Sequence, residues 1–266
     1  MVGKLATKEQ ESDMAKSKVS PAIAKTLSAR SKRPAFEHFI ATNEYGFYCV
    51  PNSYSAREVP QLLRAGRVYE PDTLNFMRRH AGSGDIISGG AFVGDFFPAL
   101  AQALAPKAQL HSFEPNPTSL EAAQTTIALN GLTSINLAPV AVGEQPGTLP
   151  LLISRGESNS AMAAGAKIVA EAQGENTIDV EVTTLDDLIP ASRQVSLLQL
   201  DIEGFELPAV KGAARIINDN APIIILEGDK RFRRRAYLQT LEELAPNLGY
   251  EIAGVIERNC ILLPRG

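Results

Sequence analysis

Residues 85 to 95 read Asp85-Ile86-Ile87-Ser88-Gly89-Gly90-Ala91-Phe92-Val93-Gly94-Asp95. A short apolar strand runs here into a glycine-bearing turn, and a helix is expected from about Asp95 to Leu104. Gly89, Gly90 and Gly94 let the backbone bend sharply and let a ligand approach without a Cβ in the way. The first free N–H groups of the helix would face that ligand, so a nucleotide-like group is expected at this turn. Glycine-rich strand-to-helix turns also occur where nothing binds, so the neighbouring segments must supply the context.

Working outward, strands and helices alternate. Gln109–Glu114 reads as a second strand. Pro117–Asn130 reads as a helix with proline in its first turn and Asn-Gly at its end, and Ser134–Val142 as a third strand. Val195–Asp201 and the apolar Pro222–Glu227 read as buried strands, with helices over Glu206–Asn218 and Arg234–Leu244. This alternation predicts an α/β fold with a doubly wound, mostly parallel seven-stranded sheet. The last two strands, Tyr250–Val255 and Asn259–Leu263, are joined by so few residues that only an antiparallel hairpin fits.

Toward the N-terminus the organisation changes. Residues 1–34 hold eight Lys or Arg against three Asp or Glu and are expected to form a basic tail. Residues 35–82 read as an N-terminal cap: a strand Gly46–Val50, a helix Ala56–Ala65, and a helix Thr73–His80 with Asp72 as its N-cap. Residues 83–266 form the main Rossmann-like domain. Within it, Ile178–Thr183 alternates like an exposed strand, TLDDL begins a short helical turn, and Ser154–Ala166 is composed like a mobile loop.

Composition narrows the function. A net charge of −4 argues against a general nucleic-acid binder, and no apolar run approaches the roughly 20 residues that span a bilayer. Cys49 and Cys260 lie far apart without metal-ligand spacing, which indicates neither a disulfide framework nor a zinc site. A reducing, cytoplasmic setting is expected. His38, His80 and His111 show no triad spacing and are expected to be structural; no GxSxG elbow or P-loop is present.

In open α/β sheets ligands bind beyond the carboxyl ends of the strands. Those ends are Ser88–Gly90, Glu114, Ala141, Asp201 and Glu227, and three carry a carboxylate. Glu114 lies 20 residues beyond Gly94, where an acidic side chain can accept hydrogen bonds from both hydroxyls of a ribose. It could instead cap the helix that starts at Pro117. Asp201 and Glu203 either cap the next helix or face the cleft to hold a substrate hydroxyl, a cofactor ammonium or a divalent cation. A cation is compatible with these groups, but nothing in their spacing indicates one. The run Lys230-Arg231-Phe232-Arg233-Arg234-Arg235 reads as a solvated helix face, or as an attractor of an anionic substrate near the ligand edge.

The segments GAFVGD, FEPNP with the later LNGL, TLDDL, LLQLDIEGFE and PIIILE, in this order, resemble the FkbM-type family of S-adenosylmethionine-dependent methyltransferases between Gly46 and Leu263. The resemblance implies a class I methyltransferase fold, S-adenosylmethionine as donor, and O-methylation of a hydroxyl on a sugar, glycan or secondary metabolite. Carried over by position, the cofactor would be held by Ser88, Gly89, Gly90, Ala91, Phe92, Gly94, Asp95, Glu114, Pro115, Ala141 and Asp201. Asp201 and Glu203 would serve catalysis, and Glu227 and Lys230 the acceptor, a small molecule or glycan.

One departure stands out. The family commonly has Asp-x-Gly-Ala-Asn-x-Gly, where this chain has Ser88 at the Asp position and Phe92 at the Asn position. Another carboxylate, Glu70, Asp95 or Asp201, would then have to compensate for the missing charge. Two other readings stay open: a nicotinamide-dependent oxidoreductase, because Gly89-x-Ala91-x-x-Gly94 fits a loose dinucleotide fingerprint, and a non-catalytic binding module.

Overall fold

The computed structural model describes residues 34–153, 167–168, 176–228 and 230–265. The expected basic tail and the Ser154–Ala166 loop lie outside the described residues, apart from Pro34. All the described elements belong to the unit that begins at Pro34.

The chain opens with a hairpin, β1 (His38–Asn43) and β2 (Gly46–Pro51), paired antiparallel from His38↔Pro51 to Asn43↔Gly46. Only β2 is evident in the sequence; β1, six residues long like β2, carries no clean alternation. Helices α1 (Glu58–Arg64) and α2 (Pro71–Arg79) follow. Asp72 is not the N-cap of α2: Glu70 takes that place in a left-handed conformation, Pro71 is the first helical residue, and Asp72 lies inside the first turn.

The main sheet begins with β3 (Asp85–Gly89), which leads through the glycine turn into α3 (Phe97–Ala101). That helix is much shorter than the sequence implies, because residues 92–96 form the turn itself. Next come β4 (Leu110–Phe113), α4 (Pro117–Asn130) and β5 (Ile135–Ala138). The expected third strand is divided: β5 stays in the main sheet, whereas β6 (Ala141–Val142) joins a separate sheet with β7 (Gly147–Leu152), β8 (Lys167–Ile168) and β9 (Thr177–Thr183), in the order β6-β9-β7-β8.

After the short α5 (Leu185–Leu188), capped by the Thr184 hydroxyl, the chain returns through β10 (Val195–Leu200). The expected single helix over Glu206–Asn218 is two, α6 (Glu206–Lys211) and α7 (Ala214–Asn220), interrupted at Gly212-Ala213. Strand β11 (Ile223–Glu227) and helix α8 (Arg231–Leu244) precede the closing hairpin of β12 (Glu251–Ile256) and β13 (Asn259–Leu263). The seven-stranded sheet has the order β12-β13-β11-β10-β3-β4-β5. Its β11-β10-β3-β4-β5 part is parallel, and β13 runs antiparallel to both β11 and β12.

The central strands β3, β4 and β10 are buried almost throughout, on both faces, which is why they read as continuous apolar runs. Successive side chains alternate between two cores. Ile87, Leu198, Leu200, Ile224, Leu226 and Leu262 point to one, and Ile86, Leu197, Ile225 and Ile261 to the other. The N-terminal hairpin packs on α4 and is pinned to it by side-chain bonds: Cys49 N–H donates to Thr126 Oγ1 at 3.0 Å, and Phe47 N–H to Asn130 Oδ1 at 2.9 Å.

At the sheet's amino-terminal end, opposite the ligand edge, buried Asp85 gathers several donors. Arg193 reaches both of its oxygens, with Nε 2.6 Å from Oδ2, and Gln109 N–H donates to Oδ1 at 2.8 Å. His111 Nε2 lies 2.8 Å from Oδ2. His111 thus sits in the Asp85 cluster, at the end of the sheet away from the cavity.

Candidate active site

A cavity of about 430 Å³ opens at the carboxyl ends of β3, β4, β10 and β11, within the range usual for small-molecule and cofactor sites. Its floor is the glycine turn. Gly90 has φ 83°, and a Cβ there would collide with the Asp201 carbonyl oxygen, so only glycine lets β3 and β10 close up at this end. Ser88, Gly90, Ala91, Phe92 and Asp95 line the cavity, as do Glu114, Pro115, Ala141, Asp201, Glu203 and Glu227.

Four residues expected to act here do not line it. Gly89 packs under the Phe113 ring and the Leu200 side chain, and Gly94 under Phe97; both shape the turn from behind. Glu70 faces the closing hairpin, where Asn259 Nδ2 donates to its Oε2 at 2.7 Å and Arg258 Nε lies 3.7 Å from its Oε1. Lys230 is exposed at the start of α8, outside the lining.

Glu114 is held by two backbone donors. Phe92 N–H reaches its Oε2 at 2.9 Å, and Asn116 N–H reaches its Oε1 at 2.8 Å. The cap of α4 is Asn116, whose Oδ1 accepts from Thr118 N–H at 3.0 Å, so Glu114 is not spent on capping. Burial pushes its pKa up to about 7 against the lowering effect of those N–H groups and of Arg57. Asp95 is likewise pushed up to about 7 by burial, with Glu70 adding repulsion.

Around the end of β10 the carboxylates crowd together. Glu206, buried in the first turn of α6, accepts from Ile202 N–H at 3.1 Å and Gly204 N–H at 3.0 Å, and so fixes the loop that carries Asp201 and Glu203. Among the described residues Asp201, Glu206 and Glu227 bring one oxygen each within 4.8 Å of one another. Burial first, then repulsion from Glu227, Glu70, Glu203 and Glu206, raises the Asp201 pKa well above the usual carboxylate range. Burial and the Glu206 and Glu203 charges raise Glu227, which Arg233 faces at 3.8 Å.

The missing charge at position 88 is not made good by a carboxylate bonded there. Ser88 Oγ donates to Gln199 Oε1 at 2.7 Å, a side chain from the neighbouring strand that also lines the cavity. Sequence reading missed Gln199, although its position next to the end of β10 was a usable signal. It also missed Arg57, Tyr69 and Arg258, which line the cavity from the cap and the closing hairpin; nothing in the local sequence announces those approaches.

A sequence model of the methyltransferase FkbM domain matches residues 88–252, from the serine of the glycine turn into the closing hairpin. The chain belongs to the FkbM methyltransferase domain family. Its mostly parallel sheet with a terminal antiparallel hairpin agrees with the class I fold the resemblance implied. No curated protein matches the chain by sequence.

Among solved structures, the FkbM methyltransferase of Methylobacillus flagellatus is 18% identical with a TM-score of 0.49, over 68% of this chain and 43% of that one. Trm5b of Pyrococcus abyssi is 13% identical with a TM-score of 0.48, over 88% of this chain and 56% of that one. TomG, an O-methyltransferase of Streptomyces achromogenes in complex with SAM, is 11% identical with a TM-score of 0.42, over 79% and 82%. The chain thus spans about half the length of the first two. Among the described residues no helix is long and apolar enough to cross a membrane.

Proposed function

We propose that this FkbM-family chain is an S-adenosylmethionine-dependent methyltransferase that methylates a hydroxyl oxygen on a sugar, glycan or other small acceptor. The observation that carries the reading is that Glu114 and Asp201, from the ends of two strands on either side of β3, line one cavity floored by the glycine turn.

The residues present fit the cofactor. Glu114 offers a carboxylate already oriented by two backbone N–H groups, suited to a ribose diol. Phe92, Phe113 and Pro115 supply apolar wall beside it for a purine, and Ser88, Asp95 and Gln199 supply polar groups for the amino-acid end. When bound, S-adenosylmethionine supplies an electrophilic methyl on a sulfonium.

The protein's own tasks are positioning and proton removal. Catalysis of an in-line displacement depends on holding the acceptor oxygen opposite the leaving sulfur in a water-poor cleft. An alcohol must also lose its proton, and Asp201, made more basic by burial and by its acidic neighbours, is the group placed to take it. Glu203 lines the same wall and would orient the acceptor. Six carboxylates, Glu58, Asp95, Glu114, Asp201, Glu203 and Glu227, line the cavity against two guanidinium groups, Arg57 and Arg258. That balance favours a neutral hydroxyl-bearing acceptor over a phosphate backbone, and so supports a small-molecule or glycan partner.

The test is calorimetry with S-adenosylhomocysteine, NAD and NADP, followed by a screen of sugar and small-hydroxyl acceptors for formation of S-adenosylhomocysteine. Binding of S-adenosylhomocysteine alone, with turnover on a hydroxyl acceptor, is the expected result. Binding of NAD or NADP instead would replace this reading with the oxidoreductase. Binding of none of the three would leave a non-catalytic module.

A further inference from the structure

Gln199 reaches the cavity from a central strand. It stands in β10 directly beside Ser88 of β3 and is only 4% exposed. Ser88 Oγ donates to its Oε1 at 2.7 Å. A serine hydroxyl proton needs an acceptor, and among the described residues no other group bonds to Ser88 Oγ, so this bond fixes which way round the amide sits. The other half of the amide, Nε2 with its two N–H groups, has no hydrogen-bond partner among the described residues. It is not sealed in the core, where the unpartnered side-chain atoms are Arg78 Nε and Asn259 Oδ1. The surface Gln199 keeps is on the cavity wall, next to Ser88.

An amide in a buried side chain, fixed at one end and unpaired at the other, is costly until an acceptor completes it. An anionic acceptor makes the strongest such bond. The carboxylates that line the same cavity, Asp95, Asp201 and Glu227 among them, suit a cation instead. Along the sheet edge the order β10-β3-β4 puts Gln199 on the other side of the glycine turn from Glu114. A nucleoside held by its ribose at Glu114 therefore extends its far end over β3 toward Gln199.

We propose that Gln199 is a specificity-determining residue for the cofactor: Ser88 holds its oxygen, and its amide N–H groups receive the carboxylate of the cofactor's amino-acid end. The proposal rests on the methyltransferase reading, which supplies the ligand. It also gives the departure at position 88 a purpose. An aspartate there, as the family commonly has, offers acceptors only and would draw the amide N–H groups to itself. Serine donates, and so leaves them to the ligand. The polarity of this corner is thereby reversed, with donors for the cofactor's carboxylate where an aspartate would attract its ammonium.

The experiment is calorimetry on the full chain at pH 7 with two ligands, S-adenosylhomocysteine and the same molecule without its carboxylate. The wild type should bind S-adenosylhomocysteine about tenfold or more tightly than the analogue, the usual worth of hydrogen bonds to a charged group. Gln199→Met, of similar length but without donors, should lose that factor on S-adenosylhomocysteine and keep its affinity for the analogue. Gln199→Glu, which adds an acceptor, should lose at least as much and likewise spare the analogue. Ser88→Ala leaves the amide unfixed and should cost S-adenosylhomocysteine about threefold, the worth of one neutral hydrogen bond, with no further loss on the Gln199→Met background. A wild type that binds both ligands equally, or Gln199 variants that lose the same factor on both, overturns the proposal and leaves the cofactor reading standing. Where a Gln199 variant fails to fold, Ser88→Ala decides: a loss confined to S-adenosylhomocysteine supports the proposal, and an equal loss on both ligands overturns it. A wild type that binds neither ligand overturns the cofactor reading itself, and the proposal falls with it.

Discussion

Glu257, in the turn of the closing hairpin, accepts from both the main-chain N–H (3.1 Å) and the hydroxyl (2.7 Å) of Thr73, 184 residues earlier in the chain. Asp72 N–H points to the same carboxylate at 3.4 Å. Helix α2 has no side-chain cap of its own at Glu70, so the far end of the protein caps it. The neighbouring Arg258 bonds to the Tyr69 hydroxyl and lies 3.7 Å from Glu70 Oε1, so one two-residue turn fastens the segment before α2, whose Tyr69 lines the cavity.

Replacing Glu257 by alanine should therefore cost about 1 kcal/mol, the usual loss when a helix N-terminal acceptor is removed. In a chain of this size that lowers the melting temperature by about 2–4 °C. Tyr69 and Arg258 line the cavity, so S-adenosylhomocysteine affinity should fall too. A thermal melt and a titration on one preparation check both; an unaltered melt would mean that the cap holds without this contact.

This lock also marks the limit of what the sequence discloses. Strand Asp85–Gly89 and the segments Pro117–Asn130, TLDDL and Asn259–Leu263 are legible because periodicity, caps and short connections act over a few residues. Glu114, Asp201 and Glu227 are legible because the fold type fixes where strands end. The division of Ser134–Val142 between two sheets is not, since Ala141-Val142 leaves the main sheet to pair with Val182-Thr183, a partner 41 residues away. Arg57 and Glu70 are read poorly for the same reason: Glu70 looked available for the cofactor, and only the hairpin's Asn259 explains why it turns aside.

Asp85 should contribute to stability and nothing to chemistry. Asp85→Asn breaks a buried ion pair while leaving Arg193 and His111 in place, and should cost about 3 kcal/mol, the lower end for such losses because Arg193 remains partly solvated. Burial alone would raise the Asp85 pKa, but the bonds from Arg193, His111 and Gln109 N–H outweigh it and hold the pKa below the ordinary carboxylate value. A depressed carboxylate stabilises fully above its unfolded pKa, near 3.9, and that stability is lost as pH falls through the folded value. Urea titrations between about pH 3 and 6 should show the wild type losing its advantage over Asp85→Asn toward the acid end. A constant difference would place the effect in packing instead.

Asp201→Asn should separate binding from turnover. If Asp201 takes the acceptor proton, kcat should drop by about 10²–10⁴, the usual contribution of a positioned base, with S-adenosylhomocysteine affinity changed much less. Its raised pKa sets the sign of the pH dependence: the base is protonated and idle at low pH, so wild-type activity should climb as pH rises through that value. The asparagine variant should lose this limb. Equal losses in affinity and turnover would assign Asp201 to the cofactor alone.

Ser88→Asp puts back the charge the family commonly carries, and it should weaken cofactor binding. Ser88 Oγ donates to Gln199 Oε1 in a buried position, whereas an aspartate there offers only acceptors and forces the Gln199 amide to turn or remain unpaired. The cavity already has six carboxylates, and Asp95 and Asp201 are both pushed toward the protonated form. A seventh would raise them further rather than add usable charge. Affinity for S-adenosylhomocysteine at pH 7 should fall about fivefold or more, the cost of one unsatisfied buried polar group, and Ser88→Asp combined with Gln199→Asn should not restore it. Tighter binding by the single variant would show instead that the lost charge has no substitute in this chain and that the Ser88–Gln199 pair only fills its place.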